Sequence, residues 1–457
     1  MAFFYSPSSE YPAACRNVKG LSACNVWRRL AAYGGSRFRG TEGIEGRRSF
    51  MGGGRMKGYK NSALFLSILA MSMFGIVFAS IKTASAAPLE EIRIGATISM
   101  SGKFSTEVGP FKQLMDAYAS AINHRGGIYV KAADKRLPIR FIVYDDKSDG
   151  PTARKFYERL VSVDKADVLL GPYSSPLTFA ASVAAEENRL PFIAVCANSP
   201  KIYNRGFKWI VCVIDAAPRY THRYWEMVKA EGWAKTVAFV VEDTLHPQGV
   251  YRGAKKLAQD AGLKEVALKV LPPDTHDFTA AIVQIQEKSP DIVFVSANVP
   301  FSIAFMRQAR ELGLHPKEFH IIHHGGVFKR GVGTGAEGVI GQSYWTRGMD
   351  FGNPDLFAEV LDRSGINLDD FPWAPAYMMA FETVTQAIER AGSLDREKVM
   401  TTLKHLNVMT VGGVVSFSEN GVGTINTYPS QIIDGQYHIV WPPEIATARH
   451  RYPALGN

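Results

Sequence analysis

The chain has 457 residues, 46% hydrophobic and 21% charged, which is enough for two or three domains with substantial cores and unlike a disordered or fibrous chain. Its formal charge of +9 lies at one end: the first 87 residues hold 12 of the 52 basic and 3 of the 43 acidic residues, leaving 40 of each sign beyond them. The body of the protein therefore has no basic excess, and a nucleic-acid partner is excluded from the expectations.

The basic segment reads as a leader. In "MKGYKNSALFLSILAMSMFGIVFASIKTASAAP", Lys57 and Lys60 precede an apolar run from Ala63 to Ile81 and small residues around Ala84-Ser85-Ala86. That is the layout of a cleavable secretory signal peptide. A membrane anchor is the competing reading, but Ser62, Ser67, Ser72, Gly75 and Ser80 dilute the run. Translation could start at Met51 or Met56, while "RRSFM" resembles a twin-arginine export signal, so both export routes stay open. A periplasmic location is expected. Cys15 and Cys24 fall in the leader; Cys196 and Cys212 remain, too few for a disulfide framework, and are expected as free thiols.

From Glu91 short strand-like runs alternate with helix-period stretches. "EIRIGATIS" predicts a strand, and Leu114, Ala117, Tyr118, Ala121 and Ile122 mark one helical face that stops at Gly126-Gly127. "PIRFIVYDD", "ADVLLG" and "LPFIAV" are strands separated by the helices "TARKFYERLVSV" and "TFAASVAAEEN". A second series follows "GFKWIVCVID": strands "KTVAFVVED", "EVALKVL", "DIVFVSA" and "EFHIIHH", with helices between them. Helices near 354–362, 376–390 and 396–406, then strands near "GGVVSFS", "YPSQIID" and "QYHIVW", complete the chain. This alternation predicts an α/β protein of two doubly wound parallel-sheet lobes. The expected division is a leader over 1–87, an N-terminal lobe from 88–213 with 345–410, and a C-terminal lobe from 214–344 with 411–457. About three crossings would form the hinge.

Ligands bind beyond the carboxyl ends of open parallel sheets, so the residues after each strand are the candidates. In the first half these are Ser101, Tyr173-Ser174-Ser175 and Cys196-Ala197-Asn198; in the second they are Glu242-Asp243-Thr244, Asn298 and His323-His324-Gly325. Ser175 also opens a helix, where free N–H groups and the dipole can hold a carboxylate. A helix cap alone is the equally weighted alternative.

Seven stretches, "IRIGATISMSGKFS", "AINHRGGI", "YDDKSDGPTAR", "GPYSSP", "PFIAVCANSP", "RQARELGL" and "YMMAFETVTQAIERAG", together resemble the leucine/isoleucine/valine-binding protein family. These are type I periplasmic receptors of ABC importers. The resemblance spans residues 90–445 and implies the type I periplasmic-binding-protein fold, a multi-strand hinge, no cofactor, no enzymatic activity and an inner-membrane ABC permease as partner. It also implies that Ser175, the Cys196 backbone and Asn198 hold a ligand carboxylate, with His246 and Asn298 at pocket positions where relatives carry aromatic residues. Gly325 stands where amino-acid binders carry an acid for the ligand ammonium. Glu107, Glu242 or Asp243 would have to substitute, or the solute is an amide, urea or aromatic acid without an ammonium. Where some relatives join two loops by a disulfide, Ser148 and Ser174 stand here.

Other chemistries are weaker. Asp145-Asp146 alternate across a strand and, with Asp149, read as the start of a helix rather than a catalytic pair. His323-His324 with His246 lack metal-ligand spacing, so pocket lining is favoured over a metal site for them. The expected function is solute binding by lobe closure, in a monomer; a ligand-sensing subunit for a signalling partner and a secreted hydrolase are the alternatives.

Overall fold

The computed structural model describes residues 89–345, 349 and 351–454; the leader expected over 1–87 lies outside the described residues. Two sheets organise them. The first has six strands in the order Val422–Ile425, Ile210–Ile214, Phe192–Ala194, Val168–Leu170, Ile92–Ile98 and Ile139–Asp145, every neighbouring pair parallel. The second places Lys264–Leu271, Thr236–Glu242, Ile292–Ser296, Glu318–Ile321 and Ile340–Ser343 in parallel, then adds Tyr428–Ile433 and Gln436–Ile439 antiparallel. In each sheet the first strand of the series lies between the second and the third, so the connections part to opposite faces there. That switch point is where open α/β sheets bind ligands.

The sequence explains the elements locally. Val168–Leu170, Phe192–Ala194, Ile210–Ile214 and Ile292–Ser296 are apolar and buried throughout apart from one terminal serine, as strands covered on both faces require. Helix Phe111–His124 buries Leu114, Ala117, Tyr118 and Ala121 of the predicted stripe, leaves Ile122 half-buried, and Gly127 then turns at a φ of 77°. Asp149 caps helix Gly150–Ser162 by accepting from the Thr152 N–H at 2.9 Å. In the second sheet Val237, Phe239 and Val241 join one core cluster while Ala238 and Val240 join the other, the alternation a strand imposes. Helix Ala374–Ala391 is buried along most of its length, and Met378, Met379 and Phe381 are core residues.

Two expectations need correction. The C-terminal segment does not all belong to the second lobe: Val422–Ile425 pairs with Ile210–Ile214 in the first sheet. The strand is hard to see in "GVGTI" because Gly423 must leave room for the Cys212 and Val213 carbonyls, which a Cβ would strike. The second sheet is also mixed rather than wholly parallel. Val422–Ile425 ends at the carboxyl edge of the first sheet and reaches the second after only Asn426 and Thr427, so the next strand enters at that same edge and runs backwards. The chain thus passes between the sheets after Ile214, after Ser343 and after Ile425. The "GVGTG" stretch over 331–335 is the end of helix Gly326–Val332 followed by a tight turn at Gly333–Ala336. Among the described residues no helix is long and apolar enough to cross a membrane.

Candidate functional site

The turn after Val168–Leu170 puts hydroxyls where helix Ser175–Asn188 begins. Ser174 adopts φ 79°, a conformation that costs a non-glycine residue on the order of 1–3 kcal/mol. It leaves the Ser174 Oγ buried without a partner. Ser175 Oγ accepts from the Ser199 N–H at 3.3 Å, so its own hydrogen is free to donate. The first N–H groups of the helix and its dipole face the same region. These donors suit a carboxylate.

They open into a cavity of about 30 Å³ between the sheets. Tyr173, Ser174, Ser175, Cys196 and Asn198 line it from one side, Thr244, His246, Asn298 and His323 from the other, with Tyr220, Tyr344 and Trp373 from connecting segments. The structure therefore brings together Ser175, Cys196, Asn198, His246 and Asn298. Glu107 and Gly325 line a neighbouring crevice that shares His323 and Trp373. Ser101 does not line the cavity: it is exposed and donates to Asp145 Oδ2 at 2.7 Å.

Asn198 spends its amide on structure. Its Nδ2 donates to the Asp215 carbonyl at 2.7 Å, which turns Oδ1 toward His246 Nδ1, also at 2.7 Å. His246 Nδ1 must then carry the hydrogen, and the buried Nε2 is left as an unpartnered acceptor. Burial lowers the His246 pKa to about 4, so the ring is neutral. The Tyr220 hydroxyl is a further unpartnered buried group here.

No carboxylate side chain lines this cavity. Glu242 is buried, with Oε2 accepting from Asn298 N at 2.7 Å and Oε1 from Asn298 Nδ2 at 2.8 Å. Asp243 accepts from Gln248 Nε2 at 3.0 Å. Glu107 accepts from the Tyr173 hydroxyl, and burial raises its pKa to about 8, which makes it a neutral acid at physiological pH. Gly325 has a steric reason: a Cβ there would lie 2.7 Å from Pro372 Cγ. Pro372 occupies the space an acidic side chain would need.

The residues missed by the sequence are aromatic. Trp373 stands edge-on to His323, with ring centres 4.8 Å apart, and Tyr220 stands edge-on to His246 at 5.2 Å. His246 and His323 lie nearly parallel at 5.3 Å. His323 was legible as a strand-end residue, and Tyr344 directly follows strand Ile340–Ser343, which was not among the strands expected from the sequence, whereas Tyr220 and Trp373 lie outside strand ends and carry no periodic signal.

The rival sets are used otherwise. Asp146 is buried, accepting from Thr97 Oγ1 at 2.7 Å and Ser99 Oγ at 2.6 Å, while Asp145 accepts from Ser101 and the Lys147 N–H. Cys196 and Cys212 are free, and burial raises both thiol pKa values, Cys212 to about 11. Among the described residues no cluster of His, Cys, Asp or Glu is arranged for a metal ion.

Residues 91–436 match the family model described as periplasmic binding protein. The chain is 25% identical over 336 residues to the leucine-, isoleucine-, valine-, threonine- and alanine-binding protein of Pseudomonas aeruginosa, covering 71% of this chain and 86% of that one. It is 23% identical over 414 residues to Leu/Ile/Val-binding protein homolog 8 of Brucella suis, covering 84% and 98%. The fold matches the leucine-binding protein LivK of Thermotoga maritima with a TM-score of 0.66 at 19% identity, over 77% of this chain and 99% of that one. A solute-binding protein from R. palustris in complex with 4-hydroxybenzoate matches with a TM-score of 0.65 at 21% identity, over 76% and 95%. The two-lobed parallel-sheet architecture, the cavity at the strand tips and the family match converge: the chain belongs to the periplasmic binding proteins, the solute-binding components of ABC importers.

Proposed function

We propose that the protein captures a small carboxylate solute that lacks an ammonium group, with an aromatic acid as the favoured class. The observation that carries this reading is the imbalance of the cavity: a carboxylate cradle at Ser174 and Ser175, and no ionised acceptor among the residues lining it. A buried ammonium without a partner is costly. The rings of Tyr173, Tyr220, Tyr344, Trp373, His246 and His323 offer faces and edges to a planar apolar body. Structural neighbours in complex with benzoate and with 4-hydroxybenzoate fit the same chemistry.

In this reading Ser175 and the helix N-terminus take the carboxylate, His246 Nε2 accepts from a ligand hydroxyl, and closure of the lobes shields the solute from water. The cavity of about 30 Å³ holds little more than one or two waters, so loading requires the lobes to part. The protein acts as a monomer, without chemical change to its ligand, and hands it to an inner-membrane permease. Export to the periplasm rests on the segment from Lys57 to Ala87. A thermal-shift panel tests the ligand class: an aromatic carboxylate at about a hundred times its Kd stabilises by about 2.7 kcal/mol, and Ser175→Ala abolishes most of that shift at the same concentration. Equal shifts in both proteins would remove Ser175 from the site.

A further inference from the structure

Beside the cleft lies a second cavity of about 310 Å³, roughly ten times the room of the first and within the range of small-molecule sites. It is lined by the second sheet at Gln342 and Ser430 and by the loop carrying Pro372 and Trp373. His323 and Trp373 line both cavities, so the two spaces meet at that ring pair.

The walls carry unused hydrogen-bonding groups of both kinds. His324 is 3% exposed; its ring makes a backbone hydrogen bond at Ser430, and its Nε2 has no partner. The Trp345 Nε1–H, a donor only, is likewise buried and unpartnered. Asp369 is the one acidic lining residue, and it is exposed. A buried polar group without a partner is costly, and both residues line a space large enough for one.

We propose that this second cavity holds the body of the bound solute: an uncharged planar extension bearing one hydrogen-bond donor, for His324 Nε2, and one acceptor, for the Trp345 N–H. This rests on the reading of the cleft as a carboxylate site. The cleft receives the acid, the edge-on ring pair of His323 and Trp373 contacts the middle from one side, and the second cavity selects the far end. Solutes are then ranked by length as well as by charge.

Titration calorimetry with benzoate and para-acetamidobenzoate tests this, since the second acid adds one amide donor and one acceptor to the first. The wild-type protein is expected to bind para-acetamidobenzoate at least tenfold more tightly. Gln436→Trp and Thr447→Trp, at exposed lining positions, bring that ratio close to one. Trp345→Phe, which keeps a ring against Phe357 but removes the N–H, lowers the ratio severalfold and carries the test if the tryptophan variants misfold. Equal affinities for the two acids in the wild type, or a ratio unchanged in every folded variant, overturn the second cavity while leaving the cleft reading intact. Binding of neither acid overturns both.

Discussion

Asn198 and His246 are joined across the cleft by a hydrogen bond of 2.7 Å, one residue following a strand of the first sheet and the other opening a helix of the second. The contact links the two halves and fixes the tautomer of the histidine that lines the cavity. Asn198→Ala removes it and leaves His246 Nδ1–H without a partner in the closed form. Affinity is expected to fall by about 1–3 kcal/mol, and the ligand-free protein to show a larger radius of gyration in X-ray scattering. An unchanged radius together with unchanged affinity would show that the bond does not hold the lobes.

The same contact predicts a pH effect. Burial lowers the His246 pKa to about 4 from its ordinary 6.5, so closure favours the unprotonated ring and acidification between those values favours opening. Relative to His246→Gln, the wild type is expected to lose affinity as pH falls from 6.5 toward 4. Parallel pH profiles for the two proteins would contradict this.

Gly325 and Pro372 make a steric pair, with a Cβ at 325 only 2.7 Å from Pro372 Cγ. Gly325→Asp is expected to destabilise by about 1–3 kcal/mol through overpacking and to confer no amino-acid binding. Adding Pro372→Ala should restore much of the stability. Leucine binding by the single variant would mean that the glycine alone decides ligand charge.

Glu107 is a buried acid whose pKa is raised to about 8 by burial, against an ordinary 4.5. Between those values the unfolded chain gives up its proton first, so this group's contribution to stability falls as pH rises. Glu107→Gln is expected to gain stability over the wild type with rising pH and to show no gain near 4.5, as read from denaturant unfolding at several pH values. A difference that does not change with pH would place a charged Glu107 in the folded protein.

His450 sits between Glu231 and Glu318, 2.7 and 2.6 Å from their carboxylates. Burial alone would lower its pKa, but the two acids raise it to about 9. His450→Ala strands the fully buried Glu318 with only the Tyr224 hydroxyl, at a cost of about 3–5 kcal/mol. Glu318→Gln in the same background should recover part of it. In the wild type the stabilisation is complete below the ordinary histidine pKa of 6.5 and is lost as pH rises through about 9.

Much of this was legible because sheet physics is local. Strand ends can be read from apolar runs, and Ser175, Cys196, Asn198, His246 and Asn298 line the cavity because each follows a strand or opens the helix after it. Tyr220 and Trp373 reach the same space from connections, whose course depends on tertiary packing. Ser101 follows a strand too, but Asp145 holds it at the surface. Val422–Ile425 was hidden because its glycine answers to the close approach of another strand rather than to strand propensity.

In the proposed function the cleft reads a carboxylate and offers no ionised partner to an ammonium. Calorimetric titration of the wild-type protein with benzoate and with leucine under one buffer condition tests it most directly. Benzoate is expected to bind and leucine to bind at least a hundredfold more weakly. Leucine binding as tightly as benzoate would contradict the account.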